Sequence, residues 1–268
     1  MTEVLAGYYE PDERGRKAPE SLYGAEKMWA HLQRDGMPVA RCTVERLMRV
    51  NGWQGVTRRK KVRTTIADPT AERAPDLVDR QFQVDAPNVL LVADFTYVRL
   101  VTGVFVYTAF VIDAFAGRIL GWECSTSKLA WFVESAIRQA AAMRRREGNP
   151  LDGNTIHHSD AGSQYTAVHF GETLTLSGMV PSIGSVGDAY DNALAETTIG
   201  LYKTEAVRED SPFRVGPLRN VGDVEHLTAD WVDWYNNRRL MHRLDRRPPI
   251  EYEADYYAHR TSQQAGLK

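Results

Sequence analysis

Residues 88 to 98 read Asn-Val-Leu-Leu-Val-Ala-Asp-Phe-Thr-Tyr-Val, a short apolar run of the kind that forms a buried strand, interrupted by a single acid, Asp94. No other stretch constrains the fold so tightly. A lone carboxylate in such a strand costs several kcal/mol unless something neutralises it, and a divalent metal would do so. The fold therefore has to bring a partner to Asp94.

Two further acids lie in segments of unusual composition. Asp160 belongs to His-His-Ser-Asp-Ala-Gly-Ser-Gln-Tyr (157 to 165) and Glu196 to Gly-Asp-Ala-Tyr-Asp-Asn-Ala-Leu-Ala-Glu (187 to 196), with 35 residues between them. Cutting and joining of phosphodiesters is commonly done by two Mg²⁺ ions that share oxygen ligands, and three carboxylates can supply those ligands. Asp113 at a strand end and Asp191 at a helix start read as structural, and Asp188 is given no metal role. Glu196, Gly200 and Lys203 fall at i, i+4 and i+7, one face of a helix that begins near Asp191 and runs past Lys203. On its own, that face also fits a plain surface ion pair.

The other metal chemistries are disfavoured. Cys42 and Cys124 are the only cysteines and lie in segments of different character, so neither a disulfide framework nor a thiolate zinc site is supported. His157 and His158 are adjacent on a short strand and so point to opposite faces, whereas a metal pair needs one face.

Around these acids the chain reads as an α/β fold. Three β-rich runs, 88 to 100, 104 to 113 and 118 to 125, are joined by short turns and predict an antiparallel meander. A helix is expected over 128 to 147, with Arg144, Arg145 and Arg146 at its negative C-terminal end. A strand at 154 to 158 then carries Asp160 at its end, near the first strand if the crossover makes the two parallel. A helix at 168 to 177 and a strand at 180 to 183 follow. Val224, Leu227, Thr228, Trp231, Trp234 and Tyr235 form a later helical stripe whose aromatics read as core, and a short Tyr-rich tail closes the chain.

The front end has a different character. The net charge of −2 divides unevenly, with 13 Lys+Arg against 8 Asp+Glu in residues 1 to 66. Residues 1 to 20 read as a poorly ordered lead-in. Ala25, Met28, Trp29 and Leu32, then Val44, Leu47 and Met48, give two short amphipathic helices ended by Gly36 and Gly52, a helix-turn-helix pattern over 21 to 63. Arg41, Arg46 and Arg49 take the outer face of the second helix, and Arg58, Arg59, Lys60 and Lys61 form a basic arm suited to phosphates. Residues 64 to 86 read as a linker, 87 to 210 as the core and 211 to 268 as a C-terminal helical region. No apolar run approaches the length of a membrane helix and the first residues lack a basic secretory start, which places the chain in the cytoplasm, away from membranes.

Val-Ala-Asp-Phe-Thr-Tyr-Val, His-His-Ser-Asp-Ala-Gly-Ser-Gln-Tyr and Gly-Ser-Val-Gly-Asp-Ala-Tyr-Asp-Asn-Ala-Leu-Ala-Glu, with Lys-Thr-Glu at 203 to 205, resemble the second-frame transposase of the IS-three family of bacterial insertion sequences. The resemblance runs from about Tyr23 to Tyr257 and implies a ribonuclease-H-like integrase core whose Asp, Asp, Glu triad is Asp94, Asp160 and Glu196. It further implies two Mg²⁺ ions, with Mn²⁺ able to substitute, and Lys203 at the DNA end. Family members often carry Trp where this chain has Leu91, a departure that touches packing beside the first acid. The implied reaction is strand cleavage and strand transfer at the terminal inverted repeats of an element, followed by integration into target DNA. The implied partners are DNA, at least one more copy of the chain, and an upstream-frame DNA-binding segment, separate or joined by frameshifting. A non-catalytic DNA-binding remnant, or a metal-dependent nuclease that cuts without joining, stands as the alternative.

Overall fold

The computed structural model describes residues 1–57, 75–78, 82–160, 168–184 and 193–266. The chain forms two compact units, each assembled from separate stretches of sequence: Met1–Lys60 with Gly200–Pro217 and Leu227–Pro248, and Lys61–Ile199 with Leu218–His226 and Pro249–Lys268.

The second unit holds the sheet. Strands β1 (Leu90–Arg99), β2 (Phe105–Asp113) and β3 (Arg118–Ser125) are the antiparallel meander, and β4 (Thr155–Ser159) and β5 (Met179–Ile183) extend it with parallel pairing, in the order β3-β2-β1-β4-β5. Helix α4 (Trp131–Arg146) makes the crossover from β3 to β4, and α5 (Val168–Leu176) the one from β4 to β5. Alternation along the strands turns Leu91 and Ala93 of β1 and Ala109 and Val111 of β2 into one apolar face. Phe132, Ala136, Ile137 and Ala140 of α4 and Phe170 and Leu174 of α5 close over it. The approach of α4 to β3 demands glycine at one point, because a Cβ on Gly121 would lie 2.0 Å from the Ala136 carbonyl oxygen.

One member of the 144 to 146 arginine run departs from its expected place at the helix end. Arg144 is fully buried and donates Nη2 to Asp113 Oδ2 at 2.7 Å and to Glu253 Oε2 at 3.2 Å. Asp113 also accepts the backbone N–H of Asn88 (2.8 Å) and of Phe115 (3.0 Å), so its carboxylate is structural. Arg118 joins the network through Glu253 (3.3 Å) and Glu147. Glu253 stands on α8 (Pro249–Gly266), within the stretch expected as a C-terminal helical region. Burial pushes the Arg144 guanidinium down, but the hydrogen bonds and charges of Glu253 and Asp113 outweigh burial and hold it above its ordinary value.

In the first unit, the segment read as a disordered lead-in is ordered: α1 spans Thr2–Tyr9, with Leu5 and Tyr9 buried four residues apart on one face. Eight residues are too few for a convincing period, which is why the pattern was not legible. The Tyr9 hydroxyl donates to the Tyr23 carbonyl at 2.6 Å, and its ring stacks on Trp53. Helices α2 (Ala25–Arg34) and α3 (Arg41–Val50) follow as the spacing predicts. Their packing partners come from the far end of the sequence. Trp231, Trp234 and Tyr235 on α7 (Val221–Asn237) are buried, as the core reading of those aromatics required. Trp234 Nε1 donates to Glu20 (3.2 Å), the Tyr23 hydroxyl accepts the Leu240 N–H (3.1 Å), and the buried Glu205 takes Arg239 Nε at 2.9 Å and Trp231 Nε1 at 3.2 Å.

Removing Arg144 leaves the buried Asp113 without its arginine and Glu253 with Arg118 alone, so Arg144→Ala is expected to cost about 3–5 kcal/mol, whereas the same change at exposed Arg145 stays within about 0.5 kcal/mol. Urea unfolding of both variants checks this, and equal midpoints would deny the network its role.

Candidate active site

The parallel pairing of β1 with β4 runs Leu90↔Ile156, Leu91↔His157, Val92↔His158, Ala93↔Ser159. Asp94 is the next residue of β1 and Asp160 follows the last residue of β4, so each acid comes one position after the last pair of a register between strands spaced about 4.8 Å apart. Both are half-buried. They stand where β4 ends while β1 continues, at the carboxyl end of the parallel part of the sheet. This is the junction at which one neighbour of β1 leads back into the meander and the other into β5, the position at which open α/β sheets bind ligands. The Asp94 carboxylate accepts the N–H of Phe95 at 2.8 Å, which fixes one of its oxygens.

Glu196 lies in the first turn of α6 (Ala193–Tyr202), half-buried and in the same unit as the two aspartates. Among the described residues no set of three His, Cys, Asp or Glu side chains meets as a group that could hold a metal ion. Asp94 and Asp160 each stand one residue beyond the last β1–β4 pair, and Glu196 stands on α6. The Asp191 cap lies outside the described residues. Helix α6 ends as a regular α-helix at Tyr202, and Lys203 opens a wider π-helical stretch, Lys203–Val207, so the 3.6-residue phase used to place Lys203 on the face of Glu196 stops one residue short of it. Lys203 is exposed.

The histidines before Asp160 divide between the faces of the sheet. His158 Nδ1 meets Ser182 Oγ at 2.9 Å, and its ring meets Phe82 edge-on. His157 is buried against Phe170 on the α5 side, and neither ring nitrogen has a hydrogen-bond partner. Burial, with a smaller contribution from His158, pulls its pKa from the ordinary 6.5 to about 3.

Two half-buried carboxylates side by side are hard anionic oxygen donors whose mutual repulsion a divalent cation would relieve, and this donor chemistry fits Mg²⁺. On the helix pair, Arg41, Arg46 and Arg49 are exposed, and Arg41 is held by Glu45 at 2.7 Å. The basic arm Arg58, Arg59, Lys60 and Lys61 lies outside the described residues. Among the described residues no helix is long and apolar enough to cross a membrane.

With the geometry in view, comparison with known proteins is informative. Residues 84–189 match an integrase core domain model, residues 177–249 a second integrase core domain model, and residues 14–61 an HTH-like domain model. The transposase for insertion sequence element IS629 of Shigella sonnei is 50% identical over 237 residues, covering 88% of this chain and 75% of that protein. A Mycobacterium tuberculosis relative assigned to insertion sequence element IS986/IS6110 is 51% identical over 253 residues, covering 94% of this chain and 89% of that protein. Among solved structures, a chain of a simian T-cell lymphotropic virus intasome, determined by cryo-electron microscopy in complex with PP2A regulatory subunit B56 gamma, superposes with a TM-score of 0.51. It covers 88% of this chain and 74% of that one at 14% identity, a likeness of fold.

The unpartnered His157 sets an acid sensitivity. The folded state holds it neutral while the unfolded chain protonates it below pH 6.5, so its share of stability is complete above that pH and is lost as pH falls towards about 3. His157→Phe is expected to flatten this limb of a stability-against-pH curve measured by urea unfolding. An unchanged limb would assign the acid sensitivity to other groups.

Proposed function

We infer the reaction from one premise: the chain belongs to the transposases of bacterial insertion sequences that carry an HTH-like domain and an integrase core domain. It acts in DNA transposition and integration. We propose that the chemistry is strand cleavage at the terminal inverted repeats of its element and transfer of the resulting 3′ end, in the cytoplasm, with Asp94, Asp160 and Glu196 as the catalytic carboxylates. The observation that supports this is the parallel register of β1 and β4, whose last pair, Ala93↔Ser159, comes one residue before Asp94 and Asp160.

The three carboxylates would hold two Mg²⁺ ions, or Mn²⁺ in their place, and the metal when bound supplies activation of the attacking oxygen and neutralisation of charge on the departing one. Asp94 enters this role with one carboxylate oxygen held by the Phe95 N–H. Asp160 follows the last residue of a buried strand, so its backbone is anchored while its side chain stays half-exposed. Glu196 is assigned as the third ligand on its motif, and the residue itself belongs to the same compact unit as the two aspartates. Lys203 is assigned to a phosphate of the DNA end. Arg46 and Arg49, on the exposed face of α3, contact duplex DNA, with the 58 to 61 basic arm following the backbone. Acting on two ends needs at least two copies of the chain, aided by an upstream-frame DNA-binding segment.

Asp94→Asn, Asp160→Asn and Glu196→Gln each remove a charge and almost no volume, so each is expected to abolish Mg²⁺-dependent cleavage of a labelled terminal-repeat duplex while binding of that duplex persists. Cleavage near the wild-type rate by any of the three would remove that residue from the triad. Cutting without joining by the wild type would make the protein a nuclease, and binding without cutting a remnant.

Arg46→Ala and Arg49→Ala are expected to weaken duplex binding, each lowering the slope of log affinity against log salt by about 0.9. Filter binding at several salt concentrations reads both quantities, and an unchanged slope would place the arginines off the DNA.

A further inference from the structure

The β1–β2 hairpin runs on past the point where β4 stops, forming an arm at the acid-bearing end of the sheet. Strand alternation puts Phe95, Tyr97 and Arg99 on the face that α4 covers further down, and the pairing sets Tyr97 opposite Tyr107 and Arg99 opposite Phe105. One face of the arm therefore carries four aromatic rings and a guanidinium. The rings touch in sequence: Tyr97 meets Phe105 at 5.2 Å between centroids, Phe95 meets Tyr107 at 6.4 Å, and Phe95 meets Phe132 of α4 at 5.6 Å.

This face is open. Tyr97 is 45% and Phe105 42% exposed, because α4 begins at Trp131 and does not reach that far. Trp131 itself is 47% exposed, and Lys128 places its ammonium 5.1 Å from the Tyr107 ring centroid. A contiguous exposed aromatic surface is the informative kind of exception on a folded protein. Its charge is of one sign: residues 95–109 and 126–131 contain Arg99 and Lys128 and no acid. Glu123, on the strand beside Ala109, is half-buried and accepts the Ser135 hydroxyl at 2.6 Å.

Exposed rings interleaved with cations match unpaired nucleic acid. Every base has a π-face that can stack without sequence preference, and the phosphates between bases need positive partners. Duplex DNA offers no such faces along its length. We propose that this face of the arm is a platform for an unpaired stretch of DNA strand, with bases stacked on Tyr97, Phe105 and Trp131 and phosphates held by Arg99 and Lys128. The proposal rests on the DNA-acting reading above and extends it: a strand that has been cut is free to leave its complement, and the arm starts one residue after Asp94, with the platform on the opposite face of the sheet.

The test is equilibrium binding of the full chain to a short labelled single strand and to a fully paired terminal-repeat duplex, by fluorescence anisotropy. For the double variant Tyr97→Ser, Phe105→Ser, single-strand affinity is expected to fall about tenfold or more while duplex affinity stays roughly as in the wild type. Arg99→Gln and Lys128→Gln should each flatten the salt dependence of single-strand binding by about 0.7 in log–log slope. Both rings are largely in water already, and an unchanged thermal midpoint confirms that the double variant folds. Wild-type single-strand affinity in the double variant overturns the platform, as does a loss of self-association in sedimentation with single-strand binding intact, which would make the face a contact between copies. Failure of the wild type to bind even the duplex overturns the DNA-acting reading, and the platform with it.

Discussion

The parallel pairing of β1 with β4 is the interaction on which everything else here depends. Had the crossover through α4 brought β4 back antiparallel, or had the register slipped by one residue, Asp94 and Asp160 would face different neighbours and opposite sides of the sheet. Register is hard to slip when one face is buried, and Leu91 and Ala93 on β1 lock it by filling the core beneath α4. The same alternation that sends these two residues inward sends Asp94 to the other face, where it remains half-exposed. The apolar core thus fixes an acidic pair that contributes nothing to it.

The chain treats its other buried charges differently. Arg144, Asp113 and Glu253 are sealed from water, and each meets a partner of opposite sign in a network that also takes in Arg118 and Glu147. Glu205 and Arg239 do the same in the first unit. Networks of this kind pair their charges within the chain. Of the acids assigned to chemistry, Asp94 and Asp160 are half-buried at the end of the parallel part of the sheet and Glu196 is half-buried on α6, so none is sealed from solvent as the network acids are. The contrast explains why Asp113, though a strand-end acid like Asp160, is structural: an arginine reaches it from α4.

Much of the core was legible because its signals are local. Runs of β-branched and aromatic residues broken by short turns gave the meander, and the separation of Asp160 from Glu196 within a recognisable motif gave the candidate acids. What escaped was non-local. Nothing around Arg144 separates it from Arg145 and Arg146, since its partners lie 31 and 109 residues away. Helix α1 was hidden by its brevity, and α8, though expected as helix, gave no sign that Glu253 would be buried against that distant arginine. The aromatic arm was read correctly as strand, but its exposure depends on where α4 begins, which no strand pattern encodes.

The helix pair raises a related point about the chain's design. Its two helices are contiguous in sequence, as an independent DNA-binding module would be, yet within their compact unit the aromatic core comes from residues some two hundred positions later. Tyr23 takes the Leu240 N–H, Glu20 takes the Trp234 indole, and Trp231 and Trp234 are buried. A fragment limited to the first sixty residues would expose Tyr23 and lose these partners, and a chain lacking them would leave two tryptophans and the Glu205–Arg239 pair uncovered. At about 25 cal/mol per Å² of apolar surface, and with aromatic side chains burying on the order of 150–250 Å² each, the loss of even one indole amounts to several kcal/mol, comparable with the stability of a small domain. The folding of the helix pair is therefore coupled to the far end of the sequence, and any DNA binding by the pair would depend on it. The arginines on the solvent face of α3 are where the two separate: Arg46 and Arg49 are exposed, and neither belongs to the core that the two ends of the sequence share.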